Sequence, residues 1–340
     1  MRELGRLFLN TITTALLLLV FDSAVSAQRA VPTPEHPPMT SQRFDQDKEN
    51  LYAIFSQNKR GLSPEQQNRA YVAAREFGRR YGGDNDAYAK ETRQFVTEFE
   101  RGIRQDELYT AYGTKNYAKT FELGRPLLKT DPDNFFVLSL LAEAGHDNAL
   151  AGNATLNDET IGYVRSAIQL IEAGKVKKAD PFKSLEAASG FLNLALGWFL
   201  KEKSPVEAAA AFVKAVQPKS PYEKDALVYY RLGVAILKGE FAQLSAEYNE
   251  KFGSKPPSPE QQAMFERISK QGERAIDAFA RAVALSDPNR SLTDTNQSQF
   301  TPEFRSRVLG QLTALYNSLH NNSDAGLNEL IANVLSKPLP

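Results

Sequence analysis

The stretch Tyr229-Tyr230-Arg231-Leu232-Gly233-Val234-Ala235-Ile236, answered further along by Ala275, Phe279, Ala282 and then Asp287-Pro288, decides how this 340-residue chain folds. Tyr229, Leu232, Gly233 and Ile236 recur at three and four residues, which places them on one face of a helix, and Ala275, Phe279 and Ala282 do the same on a later one. A Gly or Ala where two helices cross lets their axes approach to ~8–10 Å, whereas a Leu would hold them apart. The two segments therefore read as an antiparallel pair that closes at a proline, with Gly233 against the second helix near Ala275.

The same grammar returns upstream. From Leu185 to Pro221, Gly197 takes the crossing position and Ala208, Phe212 and Ala215 the second helix; from Phe135 to Gly174 the apolar positions are Leu138, Leu141, Ala142 and Ala167, with a polar turn from Ala151 to Asn157. From Asp106 to Pro132 the matching residues are Tyr112, Tyr117, Leu127 and Leu128, with Thr120 and Gly124 where Ala and an aromatic are usual. This layout resembles the tetratricopeptide repeat (TPR), in a form exported by bacteria. The resemblance implies an all-α fold, a right-handed superhelix of antiparallel helix hairpins or TPR-like α-solenoid, whose ends need capping helices because a terminal repeat has no neighbour over its apolar face. Leu51 to Tyr81 is expected as a degenerate first unit and Arg305 to Leu335 as a closing pair, giving twelve to fourteen helices and no sheet.

Helix starts are written alike. Ser63-Pro64-Glu65-Gln66, Ser204-Pro205-Val206-Glu207, Ser220-Pro221-Tyr222-Glu223 and Ser258-Pro259-Glu260-Gln261 each offer a Ser cap, a Pro at the first helical position and Glu or Gln at the third, and Thr301-Pro302-Glu303 is a relative. Residues 240–272 form an insertion in the last repeat. Within it Ala263, Met264 and Ile268 lead in phase into Ala275, so one rod from about Pro259 to Leu285 is expected. Phe241, Leu244, Tyr248 and Phe252 share a face of a short helix laid upon it.

The amino terminus sets the expected compartment. Arg2 and Arg6 precede an apolar run from Thr11 to Phe21, and Val25-Ser26-Ala27 supplies the small residues of a cleavage site. Residues 1–27 are read as a cleavable signal peptide, the apolar run being about half the ~20 residues that span a bilayer. Residues 28–44 form a linker crowded by Pro32, Pro34, Pro37 and Pro38, residues 45–105 an N-terminal helical region, 106–288 the repeats, and 289–340 capping helices and a tail. Cysteine is absent, so disulfides and thiolate chemistry are excluded, and Gln28 after the cleavage site excludes a lipid-anchoring cysteine. A periplasmic or secreted protein without stable membrane insertion is expected.

Lys plus Arg and Asp plus Glu number 41 each, a balance that argues against nucleic acid as partner. No metal, cofactor or catalytic constellation is expected, and the chain is read as a binding protein rather than an enzyme. The three histidines, His36, His146 and His320, sit at no ligand spacing and read as solvated or capping residues. Glu98 and Glu100 face apart, with Arg101 and Arg104 at ion-pair spacing. The four Asn-x-Ser/Thr triplets, from Asn153, Asn289, Asn296 and Asn321, read as polar loops.

The resemblance implies a binding face lined by the first helix of each pair. Carried over position by position, its slots fall at Leu227, Tyr230, Val234, Leu237 and Lys238, at Phe136, Ser139, Glu143, His146 and Asp147, and at Trp198, for which buried packing is the competing role. Only Lys238 fits the basic clamp with which some family members hold a carboxylate, so a protein or peptide lying over Tyr230, Val234 and Leu237 is expected instead. Three readings of function stand: a scaffold binding a protein or peptide in the bacterial envelope, a structural repeat module of an outer-membrane or polysaccharide export machine, and a helical-repeat enzyme such as a cell-wall hydrolase.

Overall fold

A computed structural model describes residues 41–253, 256, 258–287 and 301–340. The expected signal peptide, the linker up to Thr40, His36, Pro288, Asn289 and Asn296 lie outside them. Among the described residues every regular element is helical: α1 Ser41–Asn58, α2 Pro64–Tyr81, α3 Ala87–Gly113, α4 Tyr117–Thr130, α5 Phe135–Leu150, α6 Asn157–Glu172, α7 Leu185–Leu200, α8 Pro205–Ala215, α9 Ala226–Ile236, α10 Ala242–Phe252, α11 Pro259–Leu285, α12 Pro302–Leu319 and α13 Leu327–Asn333, with a π turn at Leu237–Phe241 and a 3₁₀ turn at Val334–Ser336. The first helix begins at Ser41, so the last four residues assigned to the linker are helical.

Two compact units divide at Asp106, inside α3. In the first, α1 packs on α2 through Phe55, Ala70, Ala73 and Ala74, all buried, with Tyr52, Phe95 and Val96 at the edge. A second small cluster joins Phe77, Tyr81 and Ala89. Lys48 ties the start of α3 to this packing by reaching both Asp84 and Asp86 at 2.5 Å. Asp106, where the first repeat is expected to begin, lies within α3. No Gly or Pro interrupts Ile103 to Leu108, and α3 runs through.

The second unit is built from neighbouring helix pairs around one main apolar cluster that spans α5 to α13. Two of its crossings are alike in detail. A Cβ added at Gly197 in α7 would lie 2.7–2.9 Å from the ring of Phe212 in α8, and one added at Gly233 in α9 the same 2.7–2.9 Å from the ring of Phe279 in α11. Such contacts are closer than carbon atoms tolerate, and both rings are buried, so glycine is required at both crossings. Phe279, rather than Ala275, is the residue that meets Gly233.

Ion pairs link alternate helices. Arg125 of α4 pairs with Glu159 of α6 at 2.8 Å, Arg165 of α6 with Glu207 of α8 at 2.7 Å, and Lys214 of α8 with Glu172 of α6 at 2.7 Å. The other alternate set meets through side chains, α5 on α7 at His146 and Trp198, and α9 on α12 at Tyr230 and Phe304.

The insertion folds as its apolar spacing dictates. One helix, α11, covers Pro259–Leu285, about 40 Å at 1.5 Å per residue, and α10 lies on its first half through Leu244, Phe252, Met264 and Ile268, with Phe241 and Tyr248 partly buried. Gln261 donates to Tyr248 Oη at 2.9 Å. The chain enters this insertion through a kink at Gly239 (φ −93°, ψ −112°) instead of an open turn, so Leu237 and Lys238 belong to the π turn and not to α9.

Capping follows the sequence only in part. Ser63 makes a full reciprocal box with Gln66, Ser258 accepts from the Gln261 amide at 3.1 Å, and Thr301 accepts from the Phe304 amide at 3.2 Å. Ser204 caps α8 by position without a side-chain bond. Ser220 starts no helix: its hydroxyl donates to the Ala215 carbonyl at 2.6 Å, closing the end of α8, and Asp225 caps α9 instead.

Candidate functional site

Asn134 starts α5 by accepting from the Val137 amide at 3.2 Å. From there Val137, Leu138, Leu140, Leu141, Ala142 and Ala144 are buried on several sides, so the helix is held almost all round. One stripe, Phe136, Ser139, Glu143, His146 and Asp147, is polar in all but its first member and sits at the spacing of three and four that keeps residues on one face. Three of its groups lack partners. Among the described residues the buried Ser139 hydroxyl and both ring nitrogens of His146 make no hydrogen bond, and the Glu143 carboxylate makes none and no ion pair.

The surroundings come from three other segments. Phe191, Trp198 and Phe199 of α7 meet the His146 ring edge to face at 5.6, 5.6 and 6.2 Å, leaving that imidazole 6 % exposed. Tyr112, at the end of α3, donates to Asp147 Oδ2 at 3.3 Å. Tyr222, in the loop between α8 and α9, stands in the field of Glu143, Asp147 and Asp225. Lys201 places its amine 4.5 Å from the Trp198 ring centre.

Burial and like charge set the electrostatics. Burial first and Asp147 second push the Glu143 carboxyl up to about 7, and burial also raises Asp147. Burial, then the neighbouring carboxylates, pushes the Tyr222 hydroxyl up to about 12, and the same causes raise Tyr112. Burial, helped by Arg231, holds His146 down to about 4, so the ring is neutral near pH 7. Arg231 of α9 is itself lowered by burial and faces Asp225, yet it forms no ion pair among the described residues.

The structure thus brings together Glu143, His146 and Trp198, three of the residues read from sequence. Ser139 and Asp147 of the same stripe lie with them, and the slots read on α9 and just after it are engaged elsewhere. Tyr230 packs on Phe279 and Phe304, at 5.9 and 5.7 Å, with Arg307 over its ring; Val234, Leu237 and Leu227 are partly buried against the main core; and Lys238 pairs with Glu202 at 2.8 Å. His146 is neither solvated nor a cap, whereas His320 ends α12, stacks on Tyr316 and makes a 2.9 Å contact with its carbonyl. Tyr112, Tyr222, Lys201 and Arg231 escaped the sequence reading as site residues. Two carboxylates four apart on one helix, Glu143 and Asp147, with no Lys or Arg at the same spacing, were the available signal.

Elsewhere the carboxylates read as solvated are so engaged: Glu100 meets Arg104 at 3.5 Å, and Glu98 accepts from Gln94 at 2.8 Å rather than from Arg101. Among the described residues no group of His, Asp or Glu could hold a metal, and no helix is long and apolar enough to cross a membrane. Comparison with protein-family models, with curated proteins and with solved structures finds no match to this chain.

Proposed function

We propose that this chain is an exported helical-repeat scaffold of the TPR type that binds a protein or peptide segment in the bacterial envelope. The observation that carries the binding role is the group of polar side chains around α5: Ser139 and His146 are buried without a partner, which is unfavourable by roughly 1–3 kcal/mol each, and Glu143 and Arg231, both partly exposed, form no ion pair among the described residues. A bound segment would supply the missing partners. Three features support the repeat architecture: the matched glycine–phenylalanine crossings, the ion pairs along α4, α6 and α8, and the ring contacts along α5, α7, α9 and α12. In this reading the second set lines a concave side, and the superhelix is right-handed.

The test is capture from an envelope extract with the chain lacking residues 1–27, repeated with Glu143→Gln and Trp198→Ala. A partner that is retained by the parent and lost from both variants, at unchanged helicity, supports the reading. A partner held equally by all three, or none, removes it. Export itself is checked by sequencing the amino terminus of the envelope form, expected to be Gln28.

A second reading has one observation in its favour. Glu143, held near neutrality, and Asp147 beside it resemble an acid and a base placed for hydrolysis. Release of soluble fragments from purified cell wall by the parent chain, abolished in Glu143→Gln, would establish it.

A further inference from the structure

Which segment the site accepts follows from the kind of atom it leaves free. Around Glu143 the open groups are mostly acceptors: two carboxylates, Glu143 and Asp147, and one nitrogen of a neutral imidazole whose other nitrogen carries the proton. Tyr112 uses its proton on Asp147 at 3.3 Å, so its oxygen is an acceptor as well. No Lys or Arg pairs with either carboxylate among the described residues. Lys115 acts on Asp147 only through its field, and Arg231 acts on Asp225 and His146 but not on Glu143.

An acidic pair alone would prove little, since carboxylates gather on many surfaces. His146 supplies the independent observation. Its side chain is more than nine-tenths buried, both ring nitrogens lack a partner, and Nδ1 lies 3.9 Å from Asp147 Oδ1, too far for a hydrogen bond and directed at the acidic pair. A group carrying several N–H donors would close that gap and reach Glu143 and the tyrosine oxygens at once. Ammonium and guanidinium groups bring donors only.

Resting on the scaffold reading above, we infer that the bound segment inserts a lysine or arginine side chain between Glu143, Asp147, Tyr112 and Tyr222, beside His146. The site thus selects basic peptides, the reverse of the basic clamp that holds a terminal carboxylate.

The chain contains one tryptophan, Trp198, and it touches His146, so its fluorescence reports occupancy. The titrants are blocked tripeptides Ala-X-Ala, with X as Lys, Arg, norleucine or Glu, and free n-butylammonium. Saturable change with the Lys or Arg peptide, at least tenfold weaker with norleucine and Glu, and a tenfold or greater loss in Glu143→Gln/Asp147→Asn at a melting temperature no lower than the parent's, is the expected result. Equal binding of the norleucine peptide leaves peptide binding standing and overturns the basic selection. Preference for the Glu peptide overturns it in favour of Arg231. Butylammonium binding as tightly as the Lys peptide shows a free amine to be the ligand and overturns the peptide source. Binding by none of the five at millimolar concentration overturns the inference and counts against the scaffold reading too.

Discussion

The hairpins α7–α8 and α9–α11 share one crossing and differ in what is attached to it. In both, a phenylalanine ring lies where a glycine leaves room, at 2.7–2.9 Å from an added Cβ. The first pair is joined by four residues, Lys201 to Ser204, while the second carries the kink at Gly239, α10 and the first half of α11. The crossing is unchanged because its contacts are local to one turn of each helix. The insertion forms its own small core at Leu244, Phe252, Met264 and Ile268, and the crossing does not have to adjust to it.

The largest expected effect comes from breaking that shared feature. Gly197→Leu and Gly233→Leu each force a buried ring aside, and each should destabilise the second unit by about 3 kcal/mol, the upper part of the range for overpacking. For a unit of this size that lowers the melting temperature by roughly 6–12 °C. Equal losses sharpen the comparison; a loss at one site only shows that the two crossings are not equivalent. Pairing Gly233→Ala with Phe279→Leu should recover part of the loss caused by Gly233→Ala alone, read as a non-additive cycle.

Removing residues 243–254 tests the independence of the insertion. The deletion exposes Met264 and Ile268, whose burial contributes about 3 kcal/mol or somewhat more. The loss should stay local. Amides from Glu260 to Ile268 should exchange fast in hydrogen exchange, while those from Ala275 to Leu285 keep their protection. Loss of protection along all of α11 would make the insertion part of the main core.

The two hairpins also differ in what their first helices face, and pH reads that difference. The His146 ring meets aromatic rings of α7, whereas the matching side of α9 packs on α12 at Phe304. His146 is held down to about 4, so its stability contribution is complete above about 6.5 and is lost as pH falls through 4. Glu143 is pushed up to about 7, so its contribution is complete below about 4.5 and is lost as pH rises through 7. The slopes oppose each other. Glu143→Gln should therefore raise stability at pH 8 by about 2 kcal/mol and leave it unchanged at pH 4. His146→Phe should remove the loss between pH 6.5 and 4. Parallel melting curves against pH for parent and variants would show that neither group is buried as described.

How much of this was legible in the sequence depends on whether a feature is local. Apolar spacing placed α9, α11 and α10 and their mutual contacts, because a period of three and four fixes a face without reference to the rest of the chain. Glycine positions marked both crossings, although the residue met at Gly233 is one turn further along than expected. Glu143, His146 and Trp198 fell together because Glu143 and His146 are three apart on α5 and Trp198 of α7 meets the His146 ring at 5.6 Å. Tyr222 and Arg231 did not, since a loop residue has no period and Arg231 lies one position from the slot at Tyr230. Ser220 misled for a related reason: a Ser-Pro pair serves equally to open a helix or to close the preceding one, and the 2.6 Å bond to Ala215 that decides between them is invisible in the sequence.

The smallest expected effect separates the second helices of the two hairpins at their first residue. Ser204-Pro205 opens α8 and Ser258-Pro259 opens α11, with the same dipeptide and a Glu in the first turn of each. Only Ser258 accepts a bond, from the Gln261 amide at 3.1 Å. Ser204 has φ −148° and ψ 74°, and its hydroxyl meets no amide of the first turn, whereas at Ser258 ψ is 158° and the hydroxyl does. Ser258→Ala should therefore lose about 1 kcal/mol, the usual contribution of a serine cap, and Ser204→Ala no more than a few tenths. Because α11 starts in the insertion, the Ser258 loss should appear as fraying of its first turns, seen as faster amide exchange at Gln261 to Met264 and little change in melting temperature. Equal losses at the two serines would mean that Ser204 also caps in solution, and the dipeptide alone would then be enough to assign the bond.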